Sequence, residues 1–276
     1  MEEMMQEERR EKASLKASND AWLLAGAILL GSVIVAASVA TGGNFLKKVD
    51  TSAATEGADA KPQKNAEVTV TQDQVKALFT DKNLAFGDKN SKVLFVEFSD
   101  PSCPYCNIAA GKNPNFNKQA GGQFVMVKDG GTYLPPVIEM KKMVDAGKAA
   151  FVWIYQNGHG NGELASQALY CAQEKKKFWE VHDLLMNEAG FKLINETVKN
   201  DITKVSVMAD FLKSAVSVTD MKSCLESGKY SSRLVDDMAV AKQFGVSGTP
   251  GFFVNTTNFA GAVSFKDMQS AVERVK

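Results

Sequence analysis

The sequence has few histidines and cysteines and no excess charge, and each shortage narrows the range of functions. Its 276 residues include two His and four Cys, and 32 basic residues balance 32 acidic ones. Because it has no basic run with interleaved aromatic residues, we do not expect nucleic acid as a partner. Four cysteines are too few for a protein held together mainly by disulfides. At 45% apolar residues, the chain can still bury a sizeable core.

One long stretch lacks charge altogether. Ala21 to Ala40 reads AWLLAGAILLGSVIVAASVA, close to the roughly twenty apolar residues that a helix needs to cross a bilayer. A buried core helix of this length would carry a polar face. A signal peptide cleaved after Ala40 is the other alternative, but the preceding segment is long and acidic. We expect an uncleaved transmembrane anchor over residues 21–41 that contacts the lipid bilayer, and cleavage stays open.

The charges beside this stretch predict its orientation. More Lys and Arg residues precede the stretch than follow it, which places residues 1–20 in the cytoplasm as a tail. The chain is then a single-pass protein of the cell membrane, with the bulk of the chain outside the cytoplasm, where disulfides persist. Residues 42–66 have scarcely any large apolar side chains and are expected to form a flexible linker. Residues 67–276 remain as the folded domain.

Apolar patterns in that domain predict an α/β fold. Val93–Phe98 and Phe151–Tyr155 are apolar runs typical of strands covered on both faces, and Gly251–Asn255 indicates a third strand. From about 160 to 243 the apolar residues recur at helical spacing, and a closing helix is expected over Ser264–Val275. This order predicts a helical insertion within an α/β layer.

The KDGG segment and the two histidines are interpreted as structural features of the domain. The KDGG sequence within residues 111–148 predicts a hairpin, followed by a helix that begins at Pro135-Pro136. The two histidines are expected to lie in a loop, for His159, and on the surface of a helix, for His182. Neither is a candidate for catalysis.

Cys103 and Cys106 directly follow the first predicted strand, in the sequence CPYC. A zinc or copper site would need further ligands nearby, and no metal site is expected. A structural clip between these cysteines would close too short a loop to stabilise much. Pro104 suits the first position of a helix, which makes Cys103 the N-cap, where the helix dipole stabilises a thiolate. We therefore interpret the pair as a redox centre with Cys106 as the buried partner.

Glu97 interrupts the apolar strand six residues before Cys103. An acid in a buried strand is costly unless it has a partner or a chemical role. A position at the strand's edge or end, reaching water, is the alternative. We interpret Glu97 as functional.

Three segments resemble the DsbA-like thiol:disulfide oxidoreductases of the thioredoxin superfamily. They are FVEFSDPSCPYC, LYCAQEKKKFWEVHDLL and FGVSGTPGFFVN, which follow one another in the family's order within residues 90–276. The resemblance implies a thioredoxin-like fold with an inserted helical domain. It implies that Cys103 is the attacking sulfur, that Glu97 assists proton transfer, and that Thr249-Pro250 forms a cis-proline loop. The substrate would bind at this loop, beside Pro104 and Tyr105.

The resemblance also implies a biological role. A membrane-anchored enzyme of this kind, without a cofactor, would introduce disulfides into exported proteins that carry free thiols. A quinone-linked membrane reoxidase, DsbB-like or VKOR-like, would regenerate it, and it would act as a monomer. Tyr105 stands where the most oxidising relatives have His, so isomerase or reductase activity at the same site stays open. A non-catalytic binding module with the thioredoxin fold is a further alternative.

The remaining cysteines, Cys171 and Cys224, lie on the apolar faces of two helices predicted in the insertion. Packing of those faces could bring the sulfurs together, and an oxidising compartment favours their oxidation. We predict a structural disulfide between them. Two separate buried thiols are the alternative.

Overall fold

A five-stranded mixed sheet forms the centre of the protein in this computed structural model, which describes residues 68–275. The strands lie in the order β1-β3-β2-β4-β5, with β2 and β3 parallel and the other neighbouring pairs antiparallel. The strands are β1 (Leu84–Phe86), β2 (Val93–Ser99), β3 (Ala149–Tyr155), β4 (Gly251–Val254) and β5 (Thr257–Ala260).

Helices surround the sheet. The α-helices of the described part are α1 (Gln72–Ala77), α2 (Pro104–Ala110), α3 (Pro114–Gln119), α4 (Pro136–Asp145), α5 (Glu163–Glu174), α6 (Phe178–Leu185), α7 (Glu188–Lys192), α8 (Val205–Phe211), α9 (Val218–Glu226), α10 (Ser231–Gln243) and α11 (Phe265–Glu273). A π-helical segment covers Leu193–Val198, and short 3-10 turns cover Gly122–Phe124, Val127–Asp129 and Ile202–Lys204.

The two central strands are buried along their whole length. Every residue of β2 and β3 is buried, which explains their nearly continuous apolar sequence. Phe95 and Trp153 belong to a large core cluster that includes residues of α2, α4 and α11. Val96 belongs to a second cluster, which contains Val75 of α1 and Ala241 of α10. The predicted α/β fold is confirmed.

Helices α5 to α10 all come between β3 and β4 in the sequence, within the range 160–243 in which the sequence predicts an insertion. A disulfide joins Cys171 of α5 to Cys224 of α9, with the two Cα atoms 6.0 Å apart. Helix α5 also contacts α6 and α10. The disulfide therefore lies inside the helical segment.

Two sequence-based expectations are wrong. The KDGG segment is no hairpin: a 3-10 turn covers Val127–Asp129, and the bridge between Met126 and Tyr133 is parallel. The amide of Gly131 donates to the carbonyl of Met126 at 3.0 Å, so the chain turns back within a few residues. His182 is not on a helix surface but is buried, because it stacks on Phe178. The helix predicted after Pro135-Pro136 is confirmed as α4.

The predicted cytoplasmic tail (1–20), anchor (21–41) and linker (42–66) lie outside the described residues. Within residues 68–275, no helix is both long enough and apolar enough to cross a membrane.

Candidate active site

The cysteine pair lies at the turn between β2 and α2. Cys103 is the N-cap of α2 in an extended conformation, and Pro104 occupies the first helical position, as the sequence predicts. Both cysteines are free thiols. Cys103 is 5% exposed and Cys106 is fully buried. The helix thus directs one sulfur towards the surface and the other into the protein.

The environment of Cys103 favours its thiolate. Its pKa falls from 9.0 to about 6, chiefly because the Cys106 thiol can donate a hydrogen bond to the sulfur. Burial opposes this effect, while Thr249 and the backbone amides of Cys106 and Tyr105 add to it. Tyr105 and Cys106 belong to the first turn of α2, and their amides lower the pKa less than the Cys106 thiol does. The Cys106 thiol therefore lowers the pKa of Cys103 more than the helix N-terminus does.

Cys106 has the opposite character. Burial raises its pKa well above 9.0, and an ionised Cys103 raises it further. Its sulfur accepts a hydrogen bond from the backbone amide of Asp100 at 3.4 Å. At neutral pH Cys106 is therefore a protonated thiol beside an ionised Cys103.

The loop before β4 reaches the cysteine pair. The Thr249–Pro250 peptide bond is cis, as the resemblance to the DsbA-like family implies. The Cys103 sulfur donates to the carbonyl oxygen of Thr249 at 3.5 Å, across 146 residues of sequence. The hydroxyl of Thr249 is buried and has no partner among the described residues. The fold thus brings Thr249 and Pro250 to the cysteine pair.

Glu97 lies inside the sheet rather than at its edge. In the register of β2 it is opposite Trp153 on β3 and Phe252 on β4, and it is fully buried. Neither carboxyl oxygen has a hydrogen-bond partner within residues 68–275. Burial raises its pKa from 4.5 to about 7, and the nearby Ser99 hydroxyl offsets part of the rise. Ser99 also lowers the pKa of Cys106, so its hydroxyl lies close to both groups.

Tyr105 forms the exposed part of the site. Its side chain is 52% exposed and makes an edge contact with Phe124, with ring centroids 6.1 Å apart. Phe124 makes a similar contact with Tyr133 at 5.6 Å. Phe124, in the segment 111–148, is therefore an aromatic neighbour of Tyr105, one of the two residues between the cysteines. Pro104 is half-buried beside it.

Sequence reasoning missed Asp100, which is fully buried three residues before Cys103. One carboxylate oxygen accepts from the amide and the hydroxyl of Ser102, at 2.8 and 2.7 Å. The other accepts from the amides of Gly158 and His159, both at 2.9 Å. The Asp-Pro-Ser sequence signals the local turn. No sequence signal indicates the two bonds to the loop after β3.

The other singled-out residues lie outside this group. Of the two histidines, only the backbone of His159 reaches the site, through Asp100. The Cys171–Cys224 disulfide belongs to the helical segment. Among residues 68–275, no three His, Cys, Asp or Glu residues are grouped so as to hold a metal ion.

Known proteins resemble this chain in both sequence and fold. Residues 138–274 match the family model described as Thioredoxin. The Na+/H+ antiporter NhaA 3 of Salinispora tropica is 25% identical over 195 residues, which cover 70% of this chain but 24% of the antiporter. The chain thus spans about a quarter of the antiporter's length.

Two shorter relatives carry names that describe disulfide chemistry. A candidate protein-disulfide oxidoreductase of Rickettsia prowazekii is 24% identical over 221 residues, covering 78% of this chain and 69% of that protein. Disulfide bond formation protein D of Bacillus subtilis is 22% identical over 194 residues, covering 68% of this chain and 74% of that protein.

Two solved structures have the same fold. Wolbachia pipientis alpha-DsbA1 aligns with a TM-score of 0.52 at 16% identity, covering 73% of this chain and 95% of that structure. Oxidised BdbD of Bacillus subtilis aligns with a TM-score of 0.50 at 19% identity, covering 70% of this chain and 92% of that structure. The α/β fold described above is therefore thioredoxin-like.

Proposed function

Because the chain is a DsbA-like protein of the thioredoxin superfamily, we propose that it is a thiol:disulfide oxidoreductase with Cys103 and Cys106 as its redox pair. The carrying observation is the asymmetry of the two sulfurs. Cys103 has a pKa of about 6 and is 5% exposed, whereas Cys106 is fully buried with a raised pKa. Such an arrangement provides one reactive sulfur and one protected sulfur.

The proposed reaction oxidises a substrate dithiol. A substrate thiolate attacks the Cys103 sulfur of the Cys103–Cys106 disulfide, and Cys106 leaves as a thiolate that takes up a proton. A second substrate thiolate then attacks the substrate sulfur of the mixed disulfide, and Cys103 leaves as a stable thiolate. The substrate has lost two electrons to form its disulfide, and the enzyme's pair has become a dithiol.

Glu97 is the proposed proton carrier for Cys106. A buried carboxyl with a pKa of about 7 can give up or accept a proton near neutral pH, unlike an ordinary glutamate. Ser99 lowers the pKa of both Glu97 and Cys106; it lies between them in the sequence and on the same strand as Glu97. This placement supports transfer of the proton within the protein.

The substrate is proposed to lie across the surface around Cys103. Thr249 and Pro250 offer backbone groups beside the sulfur, so an extended peptide can bind there through main-chain hydrogen bonds. Pro104 and the exposed ring of Tyr105 would contact its side chains.

The enzyme's cellular setting is also a proposal. Residues 21–41 would anchor a single-pass membrane protein with a cytoplasmic N-terminus, and residues 42–66 would tether the domain outside the cytoplasm. Its substrates would be exported proteins with free thiols. A DsbB-like or VKOR-like quinone-linked reoxidase in the same membrane would return the dithiol to the disulfide, and the protein would work as a monomer.

A second candidate is the same site working as an isomerase or reductase. The pKa of Cys103, about 6, lies between roughly 3.5 for a strong oxidase and roughly 7 for thioredoxin. Tyr105 supplies no cationic donor to the thiolate. Both observations favour a less oxidising potential than that of the strongest oxidases.

The test combines thiol reactivity with the reduction potential. In the reduced full-length protein, alkylation of Cys103 should follow a pKa near 6, and Cys106 should resist the reagent. Cys106→Ala should accumulate mixed disulfides with client proteins through Cys103. Equilibration in glutathione buffers then gives the reduction potential of the Cys103–Cys106 pair. A potential of about −120 mV indicates an oxidase, and one of about −270 mV a reductase. Faster alkylation of Cys106 than of Cys103 would refute the assignment.

A further inference from the structure

Asp100 is a buried carboxylate whose hydrogen bonds join two separate loops. Its four donors are the amide and hydroxyl of Ser102 on its own turn and the amides of Gly158 and His159 on the loop after β3. A buried carboxylate that accepts several hydrogen bonds is held firmly in place. Asp100 therefore fixes the loop after β3 to the turn that carries the cysteines.

The backbone of Asp100 contacts both redox cysteines. Its amide donates to the Cys106 sulfur at 3.4 Å, and its carbonyl accepts from the amide of Cys103 at 2.9 Å. A movement of Asp100 would thus change the surroundings of both sulfurs.

Gly158, which donates to Asp100, lies directly against the side chain of Thr249. A Cβ atom at Gly158 would overlap the Thr249 hydroxyl oxygen, and a Cβ at Gly162 would overlap the Asp100 carboxylate. Thr249 in turn accepts the hydrogen bond of the Cys103 sulfur. The contacts form a closed ring from Cys103 through Asp100, Gly158 and Thr249 back to Cys103.

We propose that Asp100 is a positioning residue of the redox site. Through its bonds to the Gly158–His159 backbone, it presses that loop against Thr249 and holds Thr249 beside the Cys103 sulfur. The inference rests on the proposed role of Cys103 as the reactive sulfur. The side chain of Asp100 touches neither the substrate nor the reacting atoms, and it acts only by fixing where Thr249 lies.

The direction in which Asp100→Asn changes the pKa of Cys103 distinguishes a positioning role of Asp100 from an effect of its charge. Removing the negative charge of Asp100 would by itself favour a nearby thiolate and lower the pKa of Cys103. Moving the Thr249 side chain away from Cys103 has the opposite effect, because that side chain, unlike the Thr249 carbonyl, lowers the pKa of Cys103. Asp100→Asn should therefore raise the pKa of Cys103 if positioning dominates.

Gly158→Ala provides a second variant in which the charge of Asp100 is kept. The new methyl group would displace Thr249, so this variant should also raise the pKa of Cys103. Gly248→Ala is its matched control, since a Cβ at Gly248, in the same loop as Thr249, meets nothing within 4 Å. Asp237→Asn is the control for Asp100→Asn, because Asp237 is also a fully buried, hydrogen-bonded aspartate but its partners are Tyr155, Tyr170 and Arg233 instead.

The experiment measures the alkylation rate of Cys103 against pH in the reduced full-length protein and its four variants. We expect Asp100→Asn and Gly158→Ala each to raise the pKa of Cys103 by about half a unit or more, a roughly twofold loss of thiolate at pH 6. The two controls should leave it unchanged. If Asp100→Asn does not fold, Gly158→Ala alone decides.

Each other outcome contradicts the proposal. A lower pKa in Asp100→Asn with no change in Gly158→Ala would mean that Asp100 acts by its charge. Loss of stability with an unchanged pKa in both variants would mean that Asp100 is only structural. A wild-type Cys103 without a low pKa would refute the proposed function itself, which is a separate result.

Discussion

At the scale of single residues, two buried acids three positions apart differ in their hydrogen bonding. Glu97 and Asp100 are both fully buried. Asp100 accepts four hydrogen bonds, which replace the water that a carboxylate loses on burial. Glu97 has no such partners among the described residues, and burial raises its pKa to about 7. The two acids therefore suit different tasks, one structural anchoring and the other proton transfer.

Glu97→Gln should stabilise the protein at alkaline pH. The pKa of Glu97 is 4.5 when exposed and about 7 in the folded state, so the folded state binds more protons between these values and stability falls as the pH rises through about 7. At about 1.4 kcal/mol for each pKa unit, the full loss is about 3 kcal/mol. Urea unfolding at pH 5 and pH 8.5 measures it.

The Glu97→Gln variant should lose this pH dependence. Its free energy of unfolding, relative to that of the wild type, should therefore rise with pH. Glu273→Gln, which changes an exposed glutamate, is the control and should behave like the wild type. Equal pH dependence in the wild type and Glu97→Gln would show that Glu97 ionises normally. The same variant should slow formation of the mixed disulfide at Cys103, because Cys106 then leaves the Cys103–Cys106 disulfide without the carboxyl proposed to protonate it.

The placement of a site residue could be predicted from the sequence where it depends on adjacent residues. Pro104 fixes Cys103 as the N-cap, and the apolar neighbours of Glu97 indicate its burial. The role of Asp100 depends instead on Gly158 and His159, nearly sixty residues away. No pattern within a strand or helix contains that information. The sequence likewise gave no reason to expect the Cys106 thiol as the main stabiliser of the Cys103 thiolate.

At the scale of helices and strands, the Cys171–Cys224 disulfide connects α5 to α9 across 53 residues. Closing a loop of that length removes conformational freedom from the unfolded chain. Replacing both cysteines by alanine should lower the free energy of unfolding by about 4 kcal/mol. Denaturant unfolding with and without a reducing agent measures the loss.

Reduction of the wild type should reproduce this loss, and the double alanine variant should show no further effect of the reductant. The pKa of Cys103 should stay unchanged in that variant, because the disulfide lies in the helical segment away from the redox pair. A loss below about 1 kcal/mol would show that the bond does not restrict the unfolded chain as expected.

Long, buried elements were predictable from sequence, and short or half-exposed ones were not. The seven-residue strands β2 and β3 are apolar throughout. Strand β5 alternates between half-buried and exposed residues over four positions, which gives a weak signal, and β1 has three residues. The KDGG segment has the composition of a hairpin turn, but the residues beside it bond in a parallel bridge and 3-10 turns.

At the scale of the whole molecule, the proposed anchor predicts how the protein partitions between membrane and solvent. The full chain should remain with the membrane at high salt, because about twenty apolar residues hold it there. Protease added outside spheroplasts should release the folded domain by cutting within residues 42–66. A chain that lacks residues 1–41 should be recovered in the soluble fraction.

A cytoplasmic protein serves as the control and should survive the protease. Protection of the domain together with that control would contradict the proposed orientation. Recovery of the full-length chain in the soluble fraction would contradict the anchor, and a shorter N-terminus on the mature protein would indicate cleavage after Ala40.

The contact between Cys103 and Thr249 also has a consequence for the timing of synthesis. The two residues are 146 positions apart, so Thr249 is synthesised well after Cys103. At about 5–20 residues per second, the ribosome needs roughly 7–30 s to travel from one to the other. During that interval the cysteines have emerged, but the loop that completes their surroundings does not yet exist. A nascent chain is therefore not yet an enzyme, and its own unpaired thiols are open to oxidation by mature copies during that time.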